Sequence, residues 1–197
     1  MNERGNPSAA RTDPADAVEG FYDDHPYPPP VADLDRYRGA WSDPDRLRVE
    51  YHLIWPETAY RQDLEILIAG CGTSQAAKHA LRWPQANVVG IDFSATSVRH
   101  TEELKREYNL KNLQVHQLPI ERVADLEACF DQIVCTGVLH HLVDPDAGLK
   151  ALRGVLKPDA RIIPSSFDLF VAPVSAPAES DPLGVWTGPR SGFDLSP

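Results

Sequence analysis

Gly70, Cys71, Gly72, Thr73 and Ser74 follow directly on the apolar run Leu64-Glu65-Ile66-Leu67-Ile68-Ala69. Asp92 closes a second apolar run, Val88-Val89-Gly90-Ile91, twenty-two residues after Gly70. Glycines at a strand end let backbone approach a ligand where a Cβ would collide. A carboxylate at the end of the next strand can accept hydrogen bonds from both ribose hydroxyls of an adenosine. Together they describe half of a mononucleotide-binding α/β unit. The glycines alone are also explained by a tight turn with no ligand. Asp92 weighs against that, because burying a charge without a partner is costly.

The turn also restricts the nucleotide. A dinucleotide fingerprint needs a third glycine three residues after the second, and Gln75 stands there. No Lys-Ser or Lys-Thr pair follows, so the turn is not a phosphate-cradling loop. A ligand with adenosine but no pyrophosphate fits better. A second polar group, Thr136-Gly137-Val138-Leu139-His140-His141, closes a later apolar run, at the strand end where ligands sit in open parallel sheets. A histidine there could deprotonate an acceptor, since its ordinary pKa is near neutrality, or it could shape the pocket and bond to backbone. His140 and His141 are therefore the candidate bases. Adjacent histidines with no third ligand at sensible spacing are not a zinc pattern, so no metal is expected.

These groups need strands and helices to position them. The first helix is expected to start near Ser74 as N-cap, with Ala76, Ala77, Ala80 and Leu81 inward, and to end at Trp83-Pro84. A second starts at Ser94, with Val98, Leu104 and Tyr108 as its apolar stripe. Strands are predicted over 113–117 and 130–136, and Asp144-Pro145 opens a helix carrying Leu149, Leu152, Val155 and Leu156. Arg161-Ile162-Ile163 could begin a fifth strand, but Pro164 stops it at once. Alternating strands and helices predict an α/β, Rossmann-like, doubly wound sheet, mostly parallel, with helices on both faces.

Around this core the composition changes. Residues 1–15 are polar and read as disordered. Residues 16–60 form an arm rich in proline and aromatics, in which Leu34, Tyr37, Trp41, Leu47, Tyr51, Leu53, Ile54, Trp55 and Tyr60 are the anchors. It packs on the core, residues 61–165, or also lids the site. Residues 166–197 form a Pro-rich tail read as flexible. Nineteen basic against 29 acidic residues, a net charge of −10, argue against a general nucleic-acid or anionic-membrane surface. Cys71, Cys129 and Cys135, odd in number, read as buried thiols in a reducing, cytoplasmic compartment. There is no apolar h-region near Met1 and no run long enough to span a membrane.

The chain resembles the class I S-adenosylmethionine (SAM)-dependent methyltransferases. Five stretches carry the resemblance in family order: residues 65–74, Ile91-Asp92-Phe93-Ser94, Phe130-Asp131-Gln132-Ile133-Val134, residues 139–144, and Leu156-Lys157-Pro158. The resemblance implies a SAM cofactor held by Ala69, Gly70, Cys71 and Gly72 at the first strand end, and by Asp92, Phe93 and Ser94 at the second. Leu118 would contribute to the adenine side through its backbone, and Thr136, Gly137 and Val138 would bind the cofactor at the end of the fourth strand. Relatives often carry an acidic residue and alanine near Leu118-Pro119; this chain does not. Glu121 reads as a solvated helix-start charge before it reads as a ligand. His-His resembles the small-molecule branch, so a small-molecule methyl acceptor is implied. The family's last two strands are not found in this sequence, which predicts an uncovered sheet edge open to self-association. The alternatives are an inactive SAM-binding remnant or regulatory module, and a nicotinamide-dependent oxidoreductase, against which Gln75 counts.

Overall fold

The computed structural model describes residues 20, 23–26, 28–158 and 160, and the backbone of 189–190 and 193–194. Residues up to Ala160 form one unit and those from Arg161 a second. The disordered start, the fifth strand at Arg161-Ile162-Ile163 and most of the Pro-rich tail lie outside the described residues. Within the tail, Pro189–Arg190 and Phe193–Asp194 pair antiparallel as two short strands, where the composition suggested none.

In the first unit, helices α1 (Asp35–Ala40) and α2 (Pro44–Ile54) precede strand β1 (Glu65–Ala69). Next along the chain are α3 (Gln75–Arg82), β2 (Asn87–Asp92), α4 (Ala95–Glu107), β3 (Leu113–Gln117), β4 (Gln132–Cys135) and α5 (Pro145–Gly154). Short 3-10 helices span Ile120–Leu126 and Leu139–His141. The four strands are parallel in the order β3-β2-β1-β4, so the fold is the expected α/β sheet with helices on both faces.

Side chains alternate across β1, as a pleated strand requires. Ile66 and Ile68 enter one apolar cluster with Leu34, Tyr51, Ala76, Ala80 and Trp83. Leu67 and Ala69 enter the other with Ile91, Ile120, Val123, Phe130 and Leu152. Gly90 lets α3 press onto the sheet: a Cβ there would lie 2.7 Å from the Ala76 Cβ and 3.3 Å from the Cys71 Sγ. The arm is part of this core. Tyr51 is fully buried, stacks on Trp55 at 4.9 Å and donates its hydroxyl to the Ala59 carbonyl at 3.0 Å. Arg82 of α3 lies 4.0 Å above the Trp41 ring and pairs with Glu50 at 3.0 Å.

Several expectations are corrected. Ser74 precedes α3, but its side chain makes no cap hydrogen bond, and its buried Oγ has no partner. Ser94 does cap α4, accepting from the Ser97 amide, and the buried face of that helix is Ser97, Thr101 and Leu104, not a purely apolar stripe. Leu53 is 70 % exposed and anchors nothing, because α2 turns it away from Leu47 and Tyr51. Leu149 is likewise exposed, whereas Leu152 and Val155 are buried. Strand β4 is shorter than 130–136: Phe130 forms an isolated bridge to Leu156, two residues before the strand begins. Cys129 is exposed, so only Cys71 is a fully buried thiol.

Candidate functional site

The carboxyl ends of β1, β2 and β4 open onto a cavity of about 890 Å³. It lies within the roughly 300–1,000 Å³ range of small-molecule sites. Parallel strands place their carbonyl ends and following turns on one edge, so residues far apart in sequence converge there. Of the residues expected at the site, Ala69, Gly70, Gly72, Asp92, Phe93, Leu118, Thr136, Gly137, Val138 and His141 line this cavity. Cys71 and Ser94 are buried behind the wall, and His140 lies outside the lining beside His141, with ring centroids 3.9 Å apart.

The glycine turn requires its glycines. Gly70 and Gly72 have φ of 70° and 54°, a left-handed backbone that other residues rarely adopt. A Cβ on Gly70 would also run into the Val138 side chain. Both amides at the turn entrance, Gly70 and Cys71, donate to the Ile91 carbonyl at 2.9 Å, which fixes the turn to the end of β2. The Thr101 hydroxyl donates to the Gly72 carbonyl at 2.9 Å from α4.

Asp92 completes the turn. Its Oδ2 accepts from the Gly72 amide at 2.8 Å and its Oδ1 from the Ser94 amide at 3.0 Å. Burial pushes the carboxyl above its ordinary value, and the nearby Asp23 charge adds to this, against the pull of the Ser94 and Gly72 amides. Each oxygen keeps lone-pair capacity for a further donor. The Leu118 amide is not free for a ligand, because it donates to the Asp92 carbonyl at 2.9 Å. What Leu118 offers the cavity is its side chain and carbonyl. Glu121 is exposed at the first turn of its 3-10 helix, although it also touches the cavity wall.

Four contributors carry little or no signal in the sequence. Pro28 lines the cavity from the arm, and its carbonyl receives the Thr73 hydroxyl at 2.8 Å. Asp23 accepts from the Ser94 hydroxyl at 2.6 Å and the Thr96 amide at 3.1 Å, and the Ser94 bond holds its carboxyl below the ordinary range. Both lie more than forty residues from their partners, so local pattern does not reveal them. Gln75 and His79 also line the cavity, one turn apart on α3. A histidine in an alanine-rich helix is the one signal for that pair. His141 is shifted below its ordinary pKa by burial and then by His140, and Cys71 is pushed far up by burial, which leaves it a packed thiol. Among the described residues no three His, Cys, Asp or Glu side chains converge as a metal site.

A family model described as a methyltransferase domain matches residues 67–162, from β1 through the end of α5 and beyond. Over that stretch, just under half of its 197 residues, the chain is similar to methyltransferase domains. Among curated relatives, it is 36 % identical over 147 residues to an uncharacterized protein of a Synechococcus species, covering 72 % of this chain and 34 % of that protein. It is 27 % identical over 105 residues to a ubiquinone biosynthesis O-methyltransferase of Acinetobacter baumannii, covering 53 % of this chain and 44 % of the relative. The chain thus spans less than half the length of either. The solved structure of magnesium protoporphyrin IX methyltransferase from Synechocystis, with bound SAM, superposes with a TM-score of 0.51 at 17 % identity, over 76 % of this chain and 74 % of that one. At that identity the likeness speaks for the fold alone.

Proposed function

We propose that this chain is a methyltransferase that binds SAM in the cavity above β1, β2 and β4 and passes its methyl group to a small-molecule acceptor. The observation that carries the reading is the joint placement of the Gly70–Gly72 turn and the buried Asp92 carboxylate on one cavity wall. These residues fit an adenosine-bearing sulfonium. Asp92 would take the ribose hydroxyls and the turn would leave room for the backbone approach. Phe93 and Leu118 would flank the adenine. SAM, once bound, supplies an already activated methyl group.

The protein's own part is positioning, not nucleophilic attack. Gly70, Thr136, Gly137 and Val138 line the ends of β1 and β4, where an acceptor would be aligned with the methyl group. His141 lines the same end, and burial and His140 keep it neutral more readily than an ordinary histidine. It is the better placed of the two candidate bases for an acceptor that must lose a proton. The name of the Acinetobacter relative supports a small hydroxylated acceptor, and the net charge of −10 speaks against polyanionic ones. Three free cysteines, one of them exposed, support a reducing, cytoplasmic setting. No helix among the described residues is long and apolar enough to cross a membrane. The intact turn and carboxylate do not favour the inactive-remnant alternative.

The test is to incubate the chain with SAM and a panel of small phenols, catechols, amines and carbon acids, and to measure S-adenosylhomocysteine formed. Acceptor-dependent product supports the proposal. Tight cofactor binding with no turnover on the whole panel would favour the remnant instead.

A further inference from the structure

The arm reaches the proposed ribose carboxylate through one side chain. Asp23 Oδ1 accepts from the Ser94 hydroxyl at 2.6 Å and from the Thr96 amide at 3.1 Å, across 71 and 73 positions of sequence. These donors open α4, so an anion stands at the positive end of that helix, where Ser94 Oγ already accepts from the Ser97 amide. Ser94 is held on both sides. Its hydroxyl meets Asp23, and its amide donates to Asp92 Oδ1 at 3.0 Å. Two turns along α4, the Thr101 hydroxyl donates to the Gly72 carbonyl at 2.9 Å, and the Gly72 amide donates to Asp92 Oδ2 at 2.8 Å. Helix α4 thus holds the carboxylate and the glycine turn together, and the arm holds the start of α4.

A binding site is only as well aligned as the groups that lock its members in place. The same stretch of arm is pinned a second time, where the Pro28 carbonyl accepts from the Thr73 hydroxyl at 2.8 Å. Asp23 and Pro28 therefore sit on the two elements that a nucleoside would bridge, the end of β2 and the turn after β1. Resting on the cofactor reading above, we infer that Asp23 is a positioning residue: by fixing Ser94 and the first turn of α4, it sets Asp92 and the glycine turn in the geometry that receives the ribose, so that cofactor binding requires the arm to be docked. Asp23 also acts through space. Burial raises the Asp92 carboxyl and the Asp23 charge adds to it, against the Ser94, Gly72 and Phe93 amides. Arg99 of α4 and the neutral, buried Cys71 thiol are the other titratable groups that face this pair. Removing the Asp23 charge while keeping its oxygen should let Asp92 ionise at lower pH.

Two variants separate the hydrogen bonds from the charge. Asp23→Asn keeps an acceptor for Ser94 and Thr96 and removes the charge, whereas Asp23→Ala removes both. In calorimetric titration of the full chain with S-adenosylhomocysteine, Asp23→Ala is expected to bind about tenfold more weakly near pH 7. Asp23→Asn should stay within about threefold of the unaltered chain. Titrations repeated between about pH 4 and about pH 7 should show the rise in affinity moved to lower pH in Asp23→Asn, a change that a merely structural role of the arm does not produce. Unchanged affinity in Asp23→Ala, or an unmoved pH profile in Asp23→Asn, would overturn the inference. Hydrogen exchange makes the test independent of any ligand. In Asp23→Ala the Gly72 amide, which bonds to Asp92, should exchange faster than in the unaltered chain, and unchanged exchange would also overturn the inference. If the unaltered chain does not bind S-adenosylhomocysteine at all, the cofactor reading has failed, and Gly72 exchange then decides by itself whether Asp23 positions the turn.

Discussion

Asp92 is held between two opposing demands, burial that disfavours its charge and the proposed ribose site, which needs it. Its folded pKa is raised above 3.8, so the folded chain holds this proton more tightly than the unfolded chain. Its contribution to stability is therefore complete below the unfolded value and is lost as pH rises through the folded one. On the proposed reading cofactor affinity would run the other way, because ribose hydroxyls would donate to the ionised form. A series of binding titrations between about pH 4 and about pH 7 should show affinity rising with pH. Asp92→Ala should weaken binding by about 1–3 kcal/mol at neutral pH, and it should flatten that dependence. Unchanged affinity would remove Asp92 from the site. The residue's place is legible in the sequence because packing alone rarely accounts for a carboxylate that ends an apolar run. Asp23 and Pro28 are not legible, because their contacts with Ser94 and Thr73 depend on how the arm folds back, which no local pattern encodes. Leu118 is legible as a position, but its amide is used by the Asp92 carbonyl, a bond set by the register of β2 and β3.

Among the elements, the start of β4 is tied through Asp131 to β1, to the segment before β1 and to the segment after α5. Its Oδ2 accepts from the Glu65 amide at 2.8 Å, Lys157 Nζ at 2.8 Å and Arg61 Nη2 at 3.1 Å. Two stretches separate in the sequence, residues 130–134 and Leu156-Lys157-Pro158, thus meet at one carboxylate. Burial alone would raise that carboxyl, but the Glu65 amide, Lys157 and Arg61 outweigh it and hold it below 3.8. The stabilisation is accordingly present above the unfolded value and lost as pH falls through the folded one. Asp131→Ala should cost about 2–4 kcal/mol in denaturant unfolding at neutral pH, and the difference from the unaltered chain should shrink in acid. A variant equally stable at neutral pH would show that the knot is decorative. The element types are readable from apolar runs and from caps such as Asp144, whose side chain accepts from the Ala147 amide at 3.0 Å. The exposure of Leu149 is not, because apolar spacing shows that a helix has an inward face without fixing how wide it is.

For the molecule as a whole, the arm and the sheet share one core. Tyr51, Leu34 and Leu47 are buried with Trp83 and the alanines of α3. Tyr51→Ala should destabilise the chain by about 3–5 kcal/mol in the same unfolding assay, by opening a cavity beneath Trp55 and Tyr60. A loss below about 1 kcal/mol would mean that the arm rests on the surface. At the opposite side of the sheet, among the described residues no strand lies beyond β4. If that edge is open in solution, sedimentation should show association that grows with concentration, and a constant monomer would contradict it. The aromatic density of residues 16–60 makes the arm's packing readable, while the paired strands at 189–190 and 193–194 are hidden by a proline-rich composition. The central claim is that the turn and Asp92 form a SAM site. Calorimetric titration of the intact chain with SAM and S-adenosylhomocysteine tests it most directly. We predict micromolar binding of both at one site per chain, and a folded chain that binds neither would contradict the account.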